Sequence, residues 1–183
     1  MRERGEIIEL VPPVAPRKEF NACVVGSYNR GAAEWELPAD DAVATSLVPP
    51  GTGAERDFSY VAPSMPAFMP DRCVGCMECV TACPDTAILG KALEQPVLDR
   101  ELEAVANEGA RTRGRHRFTK TAKYWDTAAK RNEEPGLFGI FVDPTKCKGC
   151  GECVEVCGAH AALEMRPKSP SWLKEEQQDI ALF

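Results

Sequence analysis

Apolar residues are unevenly placed along this chain, and the places where they gather predict a small set of elements. The longest apolar run, Leu137-Phe138-Gly139-Ile140-Phe141-Val142, has the length and β-branched or aromatic content of a strand. Phe138 to Val142 and Ala161 to Met165 are the clearer strand candidates, with Ala67-Phe68-Met69 and Ala87-Ile88-Leu89 as weaker counterparts. Between them, Pro96 opens a helical pattern carrying Leu98, Leu102, Val105 and Ala106 that is expected to end near Gly109. Thr119 to Glu133 reads as a second helix, stopped by Pro135-Gly136. Residues 1–66 show no such periodicity and hold eight of the fifteen prolines; Val11-Pro12-Pro13-Val14-Ala15-Pro16 and Val48-Pro49-Pro50-Gly51 favour extended or turn backbone. Aromatic residues at Phe20, Tyr28, Trp35, Phe58 and Tyr60 set this stretch apart from a solvated tail, and it reads as an extended arm that lies on a partner.

Cysteine spacing changes the picture most. Eight of the nine cysteines form two identical runs, Cys73-x2-Cys76-x2-Cys79-x3-Cys83 and Cys147-x2-Cys150-x2-Cys153-x3-Cys157, displaced by 74 residues. At that displacement Pro70 falls on Pro144, Gly75 on Gly149, Glu78 on Glu152, Ala87 on Ala161 and Leu89 on Leu163, so one unit is duplicated. Disulfides would need an oxidising compartment, and cysteines three apart bridge poorly. Structural zinc would use paired C-x2-C motifs and leave the third cysteine of each run without a role. The full C-x2-C-x2-C-x3-C run is the bacterial ferredoxin pattern, in which three thiolates of one run hold a [4Fe–4S] cubane and the fourth holds the other. Gly75 and Gly149 fall inside the expected curl, where positive φ brings backbone N–H groups towards sulfur.

These runs resemble a two-cluster bacterial-type ferredoxin, and the resemblance implies an α+β fold. Its ligand sets would be Cys73, Cys76, Cys79 and Cys157 on one cluster, and Cys147, Cys150, Cys153 and Cys83 on the other. Pro84 after Cys83 matches the family, while Gly158 after Cys157 departs from it and implies a less rigid turn. Two small β hairpins with short helical turns would enclose the clusters. The expected organisation is an arm over 1–66, a two-cluster domain over 67–166 with a helical basic insertion at about 91–136, and a C-terminal tail over 167–183.

Pro66-Ala67-Phe68-Met69-Pro70-Asp71-Arg72-Cys73, Cys83-Pro84-Asp85-Thr86-Ala87-Ile88 and Val142-Asp143-Pro144-Thr145-Lys146-Cys147 are similar to the ferredoxin domain or δ-type subunit of thiamine-diphosphate-dependent 2-oxoacid:ferredoxin oxidoreductases, over about residues 66–167. That resemblance implies a non-catalytic electron-transfer subunit in a hetero-oligomer of anaerobic metabolism. Thiamine diphosphate, Mg and CoA would be held by the catalytic partner subunits, and electrons would leave to a soluble ferredoxin or another redox acceptor. An iron–sulfur subunit of another redox complex, such as a hydrogenase, a formate dehydrogenase or a reductase, would carry the same motifs.

Charge and single residues refine this. Formal net charge is −6, yet residues 111–131 hold eight basic residues against Asp126, a local +7. Contact with an acidic partner or a solvated face accounts for that stretch better than nucleic acid does. No apolar run is long enough to cross a bilayer, and the N-terminus lacks the apolar centre of a secretory signal, so no membrane span and a cytoplasmic location are expected. Cys23, in an apolar setting without a repeat partner, reads as a buried inert thiol. His160, three residues after Cys157, is within reach to donate to a sulfur, although an ordinary exposed or core histidine is the more common outcome for such a residue. Lys146 and Lys148 flank Cys147 and would favour a reduced, more negative cluster.

Overall fold

The computed structural model describes residues 17–182, so the proline-rich segment 11–16 lies outside the described residues. The chain divides into two units, 1–57 and 58–183.

The first unit is helical where the sequence suggested an irregular arm. Helix α1 (Arg17–Phe20) continues through a π-helical turn, Asn21–Val25, into α2 (Gly26–Asn29); α3 (Ala33–Glu36), α4 (Asp41–Thr45) and α5 (Thr52–Glu55) follow. The prolines do not prevent this, because Pro38, Pro49 and Pro50 sit in the connections between helices. Asp40 caps α4, accepting from the Ala42 and Val43 N–H groups at 2.8 and 3.1 Å. Phe20, Val24 and Val25 recur at helical spacing and bury with Ala42, with Leu37 against them. That same spacing turns Cys23 outward, so it is exposed and not the buried thiol expected. Tyr28 and Trp35 are exposed as well.

The second unit carries the cysteine runs. Strand β1 (Ser64–Phe68) leads into the first run, α6 (Glu78–Ala82) lies within it, and β2 (Ile88–Glu94) follows. Helices α7 (Gln95–Glu103), α8 (Glu108–Arg117) and α9 (Thr127–Lys130) lead to β3 (Gly136–Val142), the second run with α10 (Glu152–Cys157), β4 (Leu163–Pro167) and α11 (Pro170–Ala181). The strands do not pair as a hairpin within each half. β1 pairs antiparallel with β4, Phe68 opposite Leu163, and β2 with β3, Ile88 opposite Val142. Each sheet thus takes one strand from either copy, so neither half completes a ladder without the other.

This pairing explains why β3 reads as a continuous apolar run. Phe138, Ile140 and Val142 face a core with Met65, Ala87, Ile88, Cys147, Cys153 and Leu163, while Leu137 and Phe141 face Leu98, Leu102 and Phe118. A strand buried on both faces loses the alternation that marks a half-exposed one. Pro96 lies in the first turn of α7, as read from the sequence, but α7 ends at Glu103. The chain restarts where Asn107 accepts from the Ala110 N–H at 2.9 Å and caps α8. The second expected helix is shorter than 119–133: Thr119 bridges to Phe138, and a π-helical turn at Ala122–Asp126 precedes α9.

The segment expected to be a C-terminal tail forms α11, and Asp179 on it is fully buried. Arg113 and Arg117 of α8 both donate to Asp179, Arg117 also to Glu176, and Trp172 Nε1 to Glu176 at 2.9 Å. Arg115 pairs with Asp99 at 2.7 Å. Three cations of the basic stretch are therefore engaged inside the unit.

Candidate functional site

Each cysteine run curls in the same way. Gly75 and Gly149 stand at φ +75° and +68°, and the residues just before α6 and α10, Met77 and Gly151, at +71° and +85°. Only glycine takes such backbone without strain, so Met77 is the less relaxed of that pair. The two loops are hemmed in by different neighbours. A Cβ on Gly75 would come within 2.9 Å of Thr121 Oγ1 and 3.1 Å of the Tyr124 ring, whereas one on Gly149 would come within 2.8 Å of the Ser64 carbonyl oxygen.

Beside each loop lies a cavity partly open to solvent. Cys73, Cys76, Cys79 and Cys157 line the first, and Cys83, Cys147, Cys150 and Cys153 line the second. The fourth cysteine of each run therefore lies at the cavity of the other run. Phe68, Phe138, Ile140 and Leu163, from all the strands but β2, wall the first cavity, with exposed His160 at its edge. Pro66, Ala87, Gly149 and Gly151 line the second, together with Asp85 and Lys148. No part of the linear pattern around the cysteines marked the strand residues as cavity walls, since strand pairing across the duplication brings them there.

Beyond the fourth cysteine the displacement of 74 becomes 75. The Ala87 N–H donates to Cys83 Sγ at 3.2 Å, four residues on, and the Ala162 N–H donates to Cys157 Sγ at 3.2 Å, five residues on. Thr86 at φ +51° likewise matches Ala161 at +47°. The pairing of Ala87 with Ala161 inferred from the sequence is thus off by one. Gly158 at φ +49° starts a 3-10 turn, Gly158–His160, which absorbs the extra residue and gives a physical reason for glycine where the first run has Pro84.

Burial pushes the Cys79 and Cys153 thiols up to about 12, with neighbouring cysteines adding to the rise. Cys73 and Cys147 are raised by burial too, and the Gly75 and Gly149 N–H groups hold them back; the Lys168 ammonium further lowers Cys147. The neutral thiol is thus favoured here, and ionising four of them in so apolar a place would call for positive charge from a bound group. No three His, Cys, Asp or Glu side chains among the described residues are arranged to hold a metal ion. A ligand set spread around a cavity, with sulfur lone pairs met by backbone N–H groups, fits a group that spans the cavity, and iron–sulfur clusters have this donor chemistry.

Lys148, expected to act on the second site, instead pairs with Asp85 at 2.6 Å and lies 4.7 Å from the Phe58 ring centroid. No helix among the described residues is long and apolar enough to cross a membrane.

Residues 65–158 match the family described as 4Fe-4S dicluster domain. A pyruvate:ferredoxin oxidoreductase of Moorella thermoacetica is 32% identical over 161 residues, covering 87% of this chain and 12% of that protein. A pyruvate-flavodoxin oxidoreductase of Enterobacter agglomerans is 29% identical over 177 residues, 93% of this chain and 13% of that protein. A putative pyruvate-flavodoxin oxidoreductase of Synechocystis sp. is 32% identical over 123 residues, 63% of this chain and 8% of that protein. The chain thus spans about a tenth of the length of these relatives. The 93% share cannot be supplied by residues 66–183 alone, so the similarity extends into the N-terminal region that the motif resemblance left uncovered. Crossed cysteine cavities, duplicated loops and this match agree: the chain belongs to the 4Fe-4S dicluster domain family, and its relatives are pyruvate oxidoreductases.

Proposed function

We propose that this chain carries two [4Fe–4S] clusters, one on Cys73, Cys76, Cys79 and Cys157, the other on Cys147, Cys150, Cys153 and Cys83, and that it relays single electrons within a thiamine-diphosphate-dependent 2-oxoacid oxidoreductase. The observation that carries this reading is the pair of cavities, each lined by three cysteines of one run and the fourth of the other. When bound, each cluster supplies a one-electron store, and two such stores suit a two-electron oxidation. The chain's own residues bind and insulate. The eight thiolates ligate, N–H groups of Gly75, Gly149, Ala87 and Ala162 offset sulfur charge, and Phe68, Phe138, Ile140 and Leu163 exclude water from the first site.

Thiamine diphosphate, Mg and CoA belong to catalytic partner subunits in this proposal, and the acceptor is a ferredoxin or another redox carrier in the cytoplasm. Exposed Tyr28 and Trp35 in the first unit support the reading of that unit as a docking element. The test is anaerobic addition of a 2-oxoacid and CoA to the intact complex. Bleaching of the cluster absorbance, restored by an artificial acceptor, is expected. Bleaching by hydrogen or formate but by no 2-oxoacid would overturn the assignment.

A further inference from the structure

The two cysteine sites are built from one duplicated unit, yet their electrostatic surroundings are not equivalent. Just past β4, the Lys168 N–H donates to the Pro63 carbonyl oxygen at 2.8 Å, and its Nζ donates to the Ser59 carbonyl oxygen at 2.7 Å. Segment 58–64 is in turn tied over the second loop, the Phe58 N–H donating to the Thr145 carbonyl oxygen at 2.7 Å and Ser64 and Ala62 crowding Gly149. Lys168 is half-buried beneath this strap, and its field reaches Cys147. A cation held there is screened less than one in open water.

The first half has no lysine at the equivalent position. At the displacement of 75, Lys168 corresponds to Leu93, which stands opposite Leu137 as Lys168 stands opposite Pro63. Leu93 packs against the apolar cluster of Leu98, Leu102, Phe118, Leu137 and Phe141. Arg72, beside Cys73, is exposed and turned towards the Ala161 carbonyl oxygen at 3.3 Å. At the second site Lys148 is offset by Asp85.

Adding an electron makes a cluster more negative by one charge, which a nearby fixed cation favours and aromatic or aliphatic walls oppose. We infer that Lys168 is a positioning residue for charge, holding the second site at a more positive reduction potential than the first and so directing electrons from the Cys73 side to the Cys147 side. One electron leaves the first site and enters the second, and no bond forms or breaks. This inference rests on the two-cluster reading proposed above.

The experiment is a redox titration of the full chain, prepared anaerobically with both clusters and followed by electron paramagnetic resonance. Two separate potentials are expected. Lys168→Met should move the more positive one to a more negative value and leave the other in place, and Lys168→Arg should restore it. Should Lys168→Met fail to assemble, Lys168→Gln, which keeps a donor for Ser59, must give the same selective shift. Potentials that coincide in the unaltered chain, that move together, or that ignore Lys168 would overturn this inference alone. Iron and sulfide sufficient for only one cluster would overturn the two-cluster reading with it.

Discussion

The first and second cysteine loops share spacing, handedness and positive-φ glycines, and they differ in what presses on them. Thr121 and Tyr124, in the segment between β2 and β3, cover the first loop, and Tyr124 stacks on Phe138 with centroids 4.8 Å apart. The Ala62 methyl and the Ser64 carbonyl, at the start of β1, cover the second. A duplicated unit therefore keeps its inner surface, where cysteines and N–H groups meet a common cofactor chemistry, and diverges on its outer surface. Long side chains on one loop, and an alanine methyl with a strand carbonyl on the other, give the two sites different tolerance to change.

The largest effect expected from this comparison comes from exchanging which site loses a ligand. In the crossed arrangement proposed above, Cys83→Ala empties or degrades the cluster held by Cys147, Cys150 and Cys153 and spares that at Cys73, Cys76 and Cys79; Cys157→Ala does the reverse. Iron and acid-labile sulfide should fall from about eight per chain towards about four in either variant. Spectra of the remaining cluster identify the survivor. If both variants spare the run distant in sequence, ligation follows the sequence and not the cavities.

A smaller effect separates Gly75→Ala from Gly149→Ala. Both place a side chain at positive φ, a cost of about 1–2 kcal/mol before any contact is counted. On Gly75 the added methyl meets a hydroxyl and a ring, which can shift; on Gly149 it meets the Ser64 carbonyl oxygen within a hydrogen-bonded strand. Gly149→Ala should thus destabilise the cluster-loaded chain more than Gly75→Ala, by about a further 1–2 kcal/mol, seen as the lower of the two thermal midpoints. Equal losses would mean that segment 62–64 yields as easily as Tyr124.

The cysteine runs, the duplication and the glycines at positive φ were legible in the sequence because a repeated, spaced residue type needs no tertiary information. The register beyond the fourth cysteine was not, since a one-residue insertion hidden in Gly158-Ala159-His160 leaves alanines at both alignments. The first unit was misjudged by weighing proline count over proline position: Pro38, Pro49 and Pro50 delimit helices whose inward face is Phe20, Val24 and Val25. α8 escaped notice because its Gly109 and Gly114 interrupt any apolar stripe, and its Arg113 and Arg117 are held by carboxylates about sixty residues later in α11. Strand exchange between the halves, which decides the cavity walls, is a property of two copies together.

The smallest expected effect concerns what the two sites keep in common. Burial raises Cys79 and Cys153 alike, from the ordinary 9.0 to about 12. For a thiol raised in the folded state, the proton-linked stability is fully present below about pH 9. It is lost as pH climbs towards about 12, because unfolded thiols ionise first. On removal of iron by a chelator, exposed Cys76 and Cys150 should be alkylated ahead of Cys79 and Cys153 at pH 8. That lag should shrink equally in both halves as pH is raised above 9. Mass-spectrometric counting of labelled cysteines over time measures it. A lag confined to one half would place the asymmetry of the sites in their burial as well as in their charge, and a single rate for all eight would show that this packing does not outlast the bound clusters.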